Sequence, residues 1–445
     1  MDYKNVKGTH DVFLKEADDY SYVEQTMKMI AELFSFKEVR PPVLEYSEVF
    51  VRSVGDSSDI VRKEMYTFLD KGNRSITLRP EFTAGIVRLV NQNKLLFNNE
   101  LPLKTYYCGP VFRYERPQLG RYRQFNQFGV EALGHNSPYV DIDVIVLAYT
   151  ILNSLGLENV TLKINSLGAD ASREAYKKAL KDYFANFIDN MCEDCKNRFV
   201  TNPLRILDCK VPEDQEIAKK APKIFDYLSN ESKDRFEIIT TALDEMGIPY
   251  EIDDQLVRGL DYYSETVFEF HYTSNLGNNY GAIGAGGHYG NLIHELGGEK
   301  LPGVGFSFGV ERIVSVLKDN NLLDNKEDSG LMFYVMPLDK KCNLLAEMIT
   351  NQIRIFGYSA DMCFDNIKVG SMFKRADKRS AKYAILLGED ELNNNKFVLK
   401  NLSTKEQSTY DLEDLEEVLN NELENDEHEC CCGHDHEHCQ CHHDE

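Results

Sequence analysis

The segment LVRGLDYY, at residues 256–263, constrains this chain more than any other stretch of its sequence. It brings together an arginine, a glycine, an acid and two adjacent tyrosines, on what its pattern predicts to be a strand. An arginine fork can hold phosphate or carboxylate oxygens, and paired tyrosines can grip a ring. The segment therefore predicts a site that binds a small zwitterion and stabilises a developing phosphate charge.

A predicted hairpin upstream carries polar side chains on one face of each strand. We predict strands at residues 105–115 and 123–133, joined by the polar loop RPQLGRY. Because alternate strand residues face the same side, the polar residues of these faces are Arg113, Glu115, Arg123, Gln127 and Glu131. The opposite face of the second strand carries Phe128, Val130 and Ala132. So polar a face predicts the floor of a binding site rather than core.

The first 322 residues are predicted to form one α+β domain around these strands. Residues 17–36 have the spacing of an amphipathic helix, and Pro41 and Pro42 then lead into an extended segment. Residues 168–245 are rich in Lys, Asp and Glu and predict a helical insertion within the same domain.

A second unit is predicted after a polar linker at residues 323–330. Residues 331–421 alternate apolar strands and helices, which predicts a small α/β domain with a mixed sheet. Five basic residues recur there at helical spacing: Lys374, Arg375, Lys378, Arg379 and Lys382. They predict either a basic face for nucleic acid or an ordinary solvated helix surface.

The net charge of −23 at pH 7 is unusual for a protein that binds nucleic acid, but it is unevenly distributed. Residues 411–445 hold fourteen acids and follow the last basic residue, Lys405. Phosphate groups respond to the local electrostatic potential of a surface and not to the net charge of the whole chain. The net charge therefore neither supports nor excludes nucleic-acid binding. The sequence shows no signal peptide and no apolar run of about 18 residues, so we expect a cytoplasmic protein without a membrane span.

Three motifs, in their order and separation, resemble the catalytic core of histidyl-tRNA synthetase, a class II aminoacyl-tRNA synthetase family. They are the hairpin GPVFRYERPQLGRYRQFNQFGVEALG, the segment LVRGLDYY and the segment GVGFSFGVER at residues 303–312. The resemblance implies a mainly antiparallel sheet flanked by helices in residues 1–322 and an anticodon-binding domain at 331–421. It also implies a homodimer, with the segment VRPPVLEYSEVF at the interface.

The resemblance further implies a histidine–tRNA ligase that uses L-histidine, tRNA(His) and ATP, with Mg²⁺ on the phosphates. Histidine activation joins a carboxylate to the α-phosphate of ATP, so fixed cations must offset the charge that builds there. Arginine suits this role because its planar fork holds phosphate oxygens and stays charged. By resemblance, Arg113 and Arg258 act at the α-phosphate as the catalytic pair. Arg312 contacts the terminal phosphate, and Glu115 accepts the adenine amino group.

Histidine as a substrate needs acceptors for its ammonium group and partners for both ring nitrogens. The residues that the resemblance assigns to it are Glu81, Thr83 and Gln127 at the amino end, and Glu131, Tyr262 and Tyr263 at the ring. By pattern alone, one of two adjacent strand tyrosines is packed and the other exposed, and this alternative stays open for one of them. Paired ring contacts reject other amino acids by about 10⁴-fold or more, so no editing domain is expected.

Two positions depart from the family pattern. Phe82 stands where a glycine is common, and we expect it to narrow the pocket near Glu81. His288 stands where an arginine is usual. We assign it a structural place in a glycine-lined wall and no catalytic role.

Three cysteines in the helical insertion, Cys192, Cys195 and Cys209, begin with a CxxC pair and have zinc-like spacing. The insertion contains no histidine, and no fourth ligand is evident from the sequence. Partly buried thiols are therefore the favoured interpretation, and a structural zinc is the alternative. A cytosolic chain keeps thiols reduced, so no structural disulfide is expected.

Residues 422–445 predict a disordered acidic tail, because they combine many charges with almost no apolar residues. They hold six of the eleven histidines and five of the eleven cysteines. The candidate metal ligands are His434, His436, His438, Cys439 and Cys441, which suit adventitious Zn, Ni or Cu. A tolerated extension with incidental metal affinity is favoured over a role in metal storage, sensing or regulation.

A non-catalytic relative is the alternative to the enzyme. The regulatory subunit of ATP phosphoribosyltransferase resembles the same core and binds histidine as a feedback signal, but it lacks the C-terminal domain. In this sequence the arginines at 113, 258 and 312 and the additional domain at 331–421 are present. Both features favour the ligase.

Overall fold

The computed structural model describes residues 3–54, 60–116, 120–258, 260, 262–274, 277–323, 330–365 and 367–421. The chain divides into two compact units, Met1–Asp324 and Asn325–Glu445. The predicted metal ligands of the tail, His434, His436, His438, Cys439 and Cys441, lie outside the described residues. Gly259 and Asp261 of LVRGLDYY lie outside them too.

The first unit combines helices and strands along its whole length. Its strands are β1 Lys37–Glu38, β2 Leu44–Tyr46, β3 Tyr66–Leu69, β4 Ser75–Leu78, β5 Leu103–Phe112, β6 Gln124–Leu133, β7 Val160–Ser166, β8 Tyr250–Ile252, β9 Thr266–Thr273, β10 Asn279–Tyr289 and β11 Gly303–Gly309. Its helices are α1 Lys15–Leu33, α2 Ser47–Val54, α3 Thr83–Gln92, α4 Leu95–Asn98, α5 Pro138–Ser154, α6 Asp170–Phe184, α7 Glu193–Thr201, α8 Pro212–Ala218, α9 Asn230–Glu245, α10 Leu292–Glu295 and α11 Val310–Asp319. Shorter helical turns are Ile60–Glu64, Ile188–Asn190, Pro203–Ile206 and Ile224–Asp226. Nowhere in the described part of the chain is a helix both long and apolar enough to cross a bilayer.

The large sheet of the first unit has the order β1-β5-β6-β11-β10-β9-β7-β8. Its pairs are antiparallel except β1 with β5 and β7 with β8, which confirms the predicted mainly antiparallel sheet. A smaller sheet has the order β2-β4-β3. The hairpin β5–β6 is confirmed, but β5 ends at Phe112, before the predicted end. Beyond it the Arg113 amide still donates to the Arg123 carbonyl at 2.9 Å, and the Glu115 amide then turns back to bond the Arg113 carbonyl at 2.8 Å, so the chain leaves the hairpin there.

The segment LVRGLDYY is not the strand that its pattern predicted. Its described residues are irregular, and β9 begins only at Thr266. Side chains rather than a neighbouring strand bind its backbone: the Asn165 amide donates to the Leu256 carbonyl at 3.0 Å. The Arg173 guanidinium donates to the Tyr263 carbonyl at 2.5 Å. Because these side chains satisfy the backbone, the segment can bend and present several residues to one side.

A hydrophobic core lies on one face of the large sheet. Helices α1, α5 and α11 contribute buried residues such as Val23, Ile145 and Ile313, which pack with Phe270 of β9. The amphipathic helix that was predicted over residues 17–36 is therefore confirmed as α1. The opposite face of the sheet is left for other contacts, and the polar residues of the hairpin lie there.

The helical insertion is also confirmed, as α6 to α9 with the turns between them. It has a small core of its own, which includes Tyr176, Leu180 and Phe184 of α6 together with Cys195 and Cys209. Several short helices meeting at one core give this region little apolar surface to bury.

The second unit confirms the predicted mixed sheet, with the order β13-β12-β14-β15-β16. Its elements are β12 Phe333–Pro337, a helical turn Lys340–Cys342, α12 Asn343–Ile355, β13 Ala360–Met362, α13 Val369–Lys378, β14 Tyr383–Leu387, α14 Glu389–Asn394, β15 Lys396–Asn401, β16 Gln407–Asp411 and a turn Leu412–Asp414. Helix α13 ends at Lys378, so only part of the predicted basic series is helical. Arg375 and Arg379 form ion pairs with Asp365 and Asp361, which neutralise part of this surface.

Candidate active site

A cavity of about 370 Å³ lies on the polar face of the large sheet. Residues of β5, β6, β10 and β11 line it, together with the start of α3 and the irregular segment before β9. The ten site residues predicted from the sequence all line this cavity: Glu81, Thr83, Arg113, Glu115, Gln127, Glu131, Arg258, Tyr262, Tyr263 and Arg312. The fold thus brings together residues that are up to 231 positions apart in the sequence.

Three arginines surround one carboxylate in this cavity, and we call Arg113, Glu115, Arg121 and Arg312 the arginine group. Glu115 Oε2 lies 3.5 Å from Arg121 Nη1, and Glu115 Oε1 lies 3.9 Å from Arg113 Nη1. The pKa of Arg312 is lowered, first by burial and then by the positive charge of Arg121. Burial and the neighbouring arginines both oppose the positive charge of Arg312, and a bound anion would favour that charge.

Backbone carbonyls orient two of these arginines. Arg113 Nε donates to the Pro80 carbonyl at 2.8 Å, and its guanidinium lies 5.4 Å from the centre of the Phe125 ring. Arg312 Nη1 donates to the Ala282 carbonyl at 2.5 Å. Each fork is thus fixed through one N–H of its five, so the geometry presented to a ligand is preorganised.

Arg258 is held separately from the arginine group. Its guanidinium forms an ion pair with Glu269 of β9 and lies 5.4 Å from the centre of the Tyr263 ring. Glu269 also lies 2.9 Å from His271 Nε2. Burial opposes ionisation of Glu269, but His271 and Arg258 outweigh it and hold the pKa of this carboxyl below its usual range. Glu269 therefore stays ionised and fixes the position of Arg258.

A buried carboxyl with hydroxyl partners lies elsewhere in the cavity, and we call Glu81, Thr83, Glu131 and Tyr289 the acid–hydroxyl network. Thr83 Oγ1 donates to Glu131 Oε1 at 2.7 Å, and the Tyr289 hydroxyl donates to Glu131 Oε2 at 2.6 Å. Burial raises the pKa of Glu131 to about 8. Such a carboxyl remains largely protonated at neutral pH until a ligand offers it a donor or a positive charge.

Glu81 lies two residues before helix α3 and its side chain caps the start of the helix. Its two carboxylate oxygens accept the backbone N–H groups of Thr83 at 2.6 Å and Ala84 at 2.8 Å. Burial raises its pKa, and these N–H groups act in the opposite direction. The Thr83 hydroxyl, which the sequence assigned to the amino end with Glu81, donates to Glu131 instead and links the two predicted sets.

Both tyrosines of LVRGLDYY are buried, with 7% of each exposed. Their rings lie 4.6 Å apart, and the Tyr262 ring meets the Tyr289 ring edge-on at 5.6 Å. The alternative in which one tyrosine is packed and the other exposed is wrong, because the segment is irregular and turns both rings to the same side.

Glycines on β11 make room for this network. A Cβ atom on Gly305 would lie 2.1 Å from Glu131 Oε2, and one on Gly303 would lie 2.4 Å from the Tyr289 ring. Both distances are too short for any side chain, so the glycine spacing in GVGFSFG follows from the buried acid and ring beside it.

Sequence reasoning missed several residues of the site, among them Tyr107, Arg121 and Glu311, which line the cavity, and Tyr289, which supports Glu131 from behind the lining. Arg121 and Glu311 lie within motifs that were recognised, and Tyr289 follows His288 in the chain, but nothing local indicated that these side chains belong to the site. Both carboxylate oxygens of Glu311 accept the Asn126 amide at 2.9 Å, and burial raises the pKa of Glu311 to about 7.

The two departures from the family pattern lie behind the cavity wall. The Phe82 ring stacks on Tyr107 at 4.2 Å and does not line the cavity, so the expected narrowing beside Glu81 is not found. His288 is buried with its Nδ1 3.1 Å from both Asp141 Oδ1 and Arg235 Nη2. This agrees with the structural place that the sequence assigned to it.

Two family models match the chain. One, described as histidyl-tRNA synthetase, matches residues 8–313, and the other, described as an anticodon binding domain, matches residues 332–422. The two matches coincide closely with the two compact units of the structure.

Curated proteins and solved structures agree with these models. The chain is 44% identical over 422 residues to the histidine–tRNA ligase of Bacillus subtilis strain 168, covering 94% of this chain and 99% of that protein. It is similar to the crystal structure of apo S. aureus histidyl-tRNA synthetase, with a TM-score of 0.80 and 37% identity over 94% of this chain and 99% of that one. A protein from Bacillus halodurans C, described as an ATP phosphoribosyltransferase regulatory subunit/histidyl-tRNA synthetase, shares the fold with a TM-score of 0.62, at 20% identity over 87% of this chain and 98% of that one.

Proposed function

We infer that this chain, which belongs to the histidyl-tRNA synthetase family, is a histidine–tRNA ligase. The observation that carries this inference is the convergence of the ten predicted residues on one cavity, in a chain that matches a curated ligase over 94% of its length. The non-catalytic regulatory subunit is not favoured, because an anticodon-binding domain matches residues 332–422. The proposed reaction makes histidyl-adenylate and pyrophosphate from L-histidine and ATP, and then transfers histidine to the 3′ end of tRNA(His).

In the first step a carboxylate oxygen of histidine attacks the α-phosphorus, and the bond to the β-phosphate oxygen breaks. Negative charge builds on the α-phosphate in the transition state, so guanidinium groups on both sides of it lower the barrier. Arg113 and Arg258 take these positions. Both are fixed before substrate arrives, Arg113 by the Pro80 carbonyl and Arg258 by Glu269.

The nucleotide lies along the arginine group. Arg312 binds the terminal phosphate, and Glu115 accepts the adenine amino group while Arg121 holds its carboxylate. Mg²⁺ supplies charge neutralisation to the β- and γ-phosphates when it is bound with ATP. Glu64 and Glu311 also line the cavity and would provide carboxylate oxygens that suit this hard cation.

Histidine binds against the acid–hydroxyl network. Glu81 and Gln127 accept its ammonium group, and Thr83 positions Glu131 for the ring. Glu131 accepts one ring N–H, while a hydroxyl of Tyr262 or Tyr263 donates to the second nitrogen. An amino acid without two ring nitrogens would leave these buried groups unpaired, which is the physical basis of selectivity.

In the second step the 3′-terminal hydroxyl of the tRNA attacks the carbonyl carbon of the adenylate, and AMP leaves. The mechanism assigns no protein base to the hydroxyl proton, which passes to a phosphate oxygen of the adenylate. Arg113 and Arg258 then stabilise the departing phosphate as they stabilised the first transition state.

Partners and cellular location complete the proposed function. The second unit binds the anticodon region of tRNA(His), as the match to an anticodon-binding family supports. The enzyme acts as a homodimer in the cytoplasm, and the segment around β2 forms the interface. Residues 422–445 are dispensable for aminoacylation, and metal binding by their histidines and cysteines is incidental to it.

An ATP–pyrophosphate exchange assay across all twenty amino acids tests this function. We expect exchange that depends on L-histidine and is at background with the others. Histidine binding without exchange would support the regulatory alternative, and exchange with another amino acid would contradict the assigned ring contacts.

A further inference from the structure

Three thiols and one carboxylate converge in the helical insertion, away from the catalytic cavity. Cys192 immediately precedes α7, Cys195 lies in its first turn, Cys209 precedes α8, and Asp214 lies within α8. One ligand atom from each of the four lies within 4.8 Å of every other. Asp214 supplies a fourth donor, which the cysteine spacing of the sequence did not indicate.

Two distances between these atoms are close to the edges of a zinc tetrahedron. Zinc binds thiolate sulfur at about 2.3 Å and carboxylate oxygen at about 2.0–2.2 Å, so tetrahedral ligand atoms lie roughly 3.5–3.8 Å apart. Cys192 Sγ lies 3.8 Å from Cys209 Sγ, and Cys209 Sγ lies 3.4 Å from Asp214 Oδ2. A disulfide would need about 2.05 Å between the sulfurs, so these thiols are free.

The hydrogen bonds around the cluster also suit anionic ligands. The Cys195 amide donates to Cys192 Sγ at 3.4 Å, and the Cys192 amide donates to Asp214 Oδ2 at 3.1 Å. A metal that binds here must displace the thiol protons of the three cysteines.

We propose that Cys192, Cys195, Cys209 and Asp214 bind one structural zinc ion. Three soft sulfur ligands favour zinc over magnesium or calcium, and four protein ligands leave no position open for catalysis. Binding converts three thiols to thiolates and releases three protons to solvent. The ion joins the ends of α7 and α8 in a region whose own core is small.

The zinc site also bears on the catalytic cavity. Arg205 lies on the short turn between Cys195 and Cys209, and it lines the cavity wall. A metal that joins Cys195 and Cys209 fixes the turn between them, and with it the cavity wall on the side of Arg258. A bound zinc therefore stabilises both the insertion and one boundary of the active site.

Metal analysis of the full-length chain tests the proposal, once competition from the tail has been removed. In this tail-serine chain the five cysteines and six histidines of residues 422–445 are replaced by serine. We expect about one zinc per purified chain, tetrahedral Co²⁺ absorption bands after exchange, and a lower Tm after chelation. Cys209→Ser should lose the metal, whereas Cys108→Ser, a half-buried thiol outside the cluster, should keep it.

Substitutions of Asp214 test the zinc site without removing a thiol. Asp214→Cys should retain one metal and gain sulfur-to-cobalt charge-transfer intensity, while Asp214→Ala should weaken zinc affinity by at least about tenfold. The proposal is overturned if the tail-serine chain takes up no zinc from an equimolar solution. It is equally overturned if Cys209→Ser and Asp214→Ala both bind zinc as tightly as the parent. Neither result depends on histidine activation, so it leaves the proposed function intact.

Discussion

The arginine group and the acid–hydroxyl network share one cavity but stabilise charge in opposite ways. In the arginine group the side chains of Arg113, Glu115 and Arg121 are 20%, 17% and 43% exposed. In the network Glu131 and Tyr289 are each 1% exposed. The charged side chains of the arginine group are partly exposed to water and can bind an anion directly. The carboxyls of the acid–hydroxyl network are buried until a ligand provides hydrogen-bond donors.

This difference separates catalysis from recognition within the site. Charges that remain ionised can stabilise a phosphate transition state without reorganisation. Buried acids whose oxygens already have partners discriminate by geometry, because a poor ligand leaves them unsatisfied. We therefore expect substitutions in the arginine group to affect kcat or the KM for ATP, and substitutions in the network to affect the KM for histidine.

Arg113→Ala should have the largest effect. It removes a preorganised guanidinium from the α-phosphate, so kcat for histidine-dependent pyrophosphate exchange should fall by about 10²- to 10³-fold. Arg123→Ala is the matched control, because Arg123 belongs to the same hairpin but stacks on Tyr114 at 3.8 Å and does not line the cavity. Equal losses in the two variants would show that the hairpin's stability, and not the phosphate contact, had been measured.

Sequence predicted part of each group. In the arginine group, Arg113 and Glu115 alternate just beyond the first strand of the hairpin, so a charged pattern could identify their common face, whereas Arg121 was missed. The network depends on contacts such as Tyr289 to Glu131, which join residues 158 positions apart. No local period encodes such a contact. The strand expected at LVRGLDYY failed because Asn165 and Arg173, far upstream, bind its carbonyls.

Glu131→Ala should raise the KM for histidine by about 100-fold while changing the KM for ATP little. The substitution removes the ring contact and leaves the hydroxyls of Thr83 and Tyr289 without their acceptor. Together these losses weaken histidine binding by roughly 3 kcal/mol. Glu131→Gln keeps the shape and one acceptor, so its effect should be smaller, about tenfold. A rise in the KM for ATP as large as that for histidine would contradict the division of the site into an arginine group that binds the nucleotide and a network that binds histidine.

Because burial raises the pKa of Glu131, the burial of the acid–hydroxyl network can be measured in the free enzyme as a pH dependence of stability. Its pKa is about 8 when folded, against 4.5 for an ordinary glutamate. Between these values the folded state keeps a proton that the unfolded state releases, so the free energy of unfolding falls as pH rises, by up to about 1.4 kcal/mol per pH unit. This stability is fully present below pH 4.5 and lost through pH 8. Denaturant unfolding of the wild type and Glu131→Gln should differ in that slope, and parallel curves would contradict a buried neutral acid.

The smallest effect is expected for Arg121→Ala. Arg121 is the most exposed of the arginines that surround Glu115, and an ion pair at 3.5 Å in contact with water contributes only about 0.2–1 kcal/mol. The KM for ATP should rise about two- to fivefold, and the difference from wild type should shrink at high salt because exposed charges are screened. Arg121→Lys should restore most of the loss, since it keeps the charge. A loss comparable with that of Arg113→Ala, insensitive to salt, would instead place Arg121 directly on a phosphate and extend the catalytic function to the solvent-exposed edge of the arginine group.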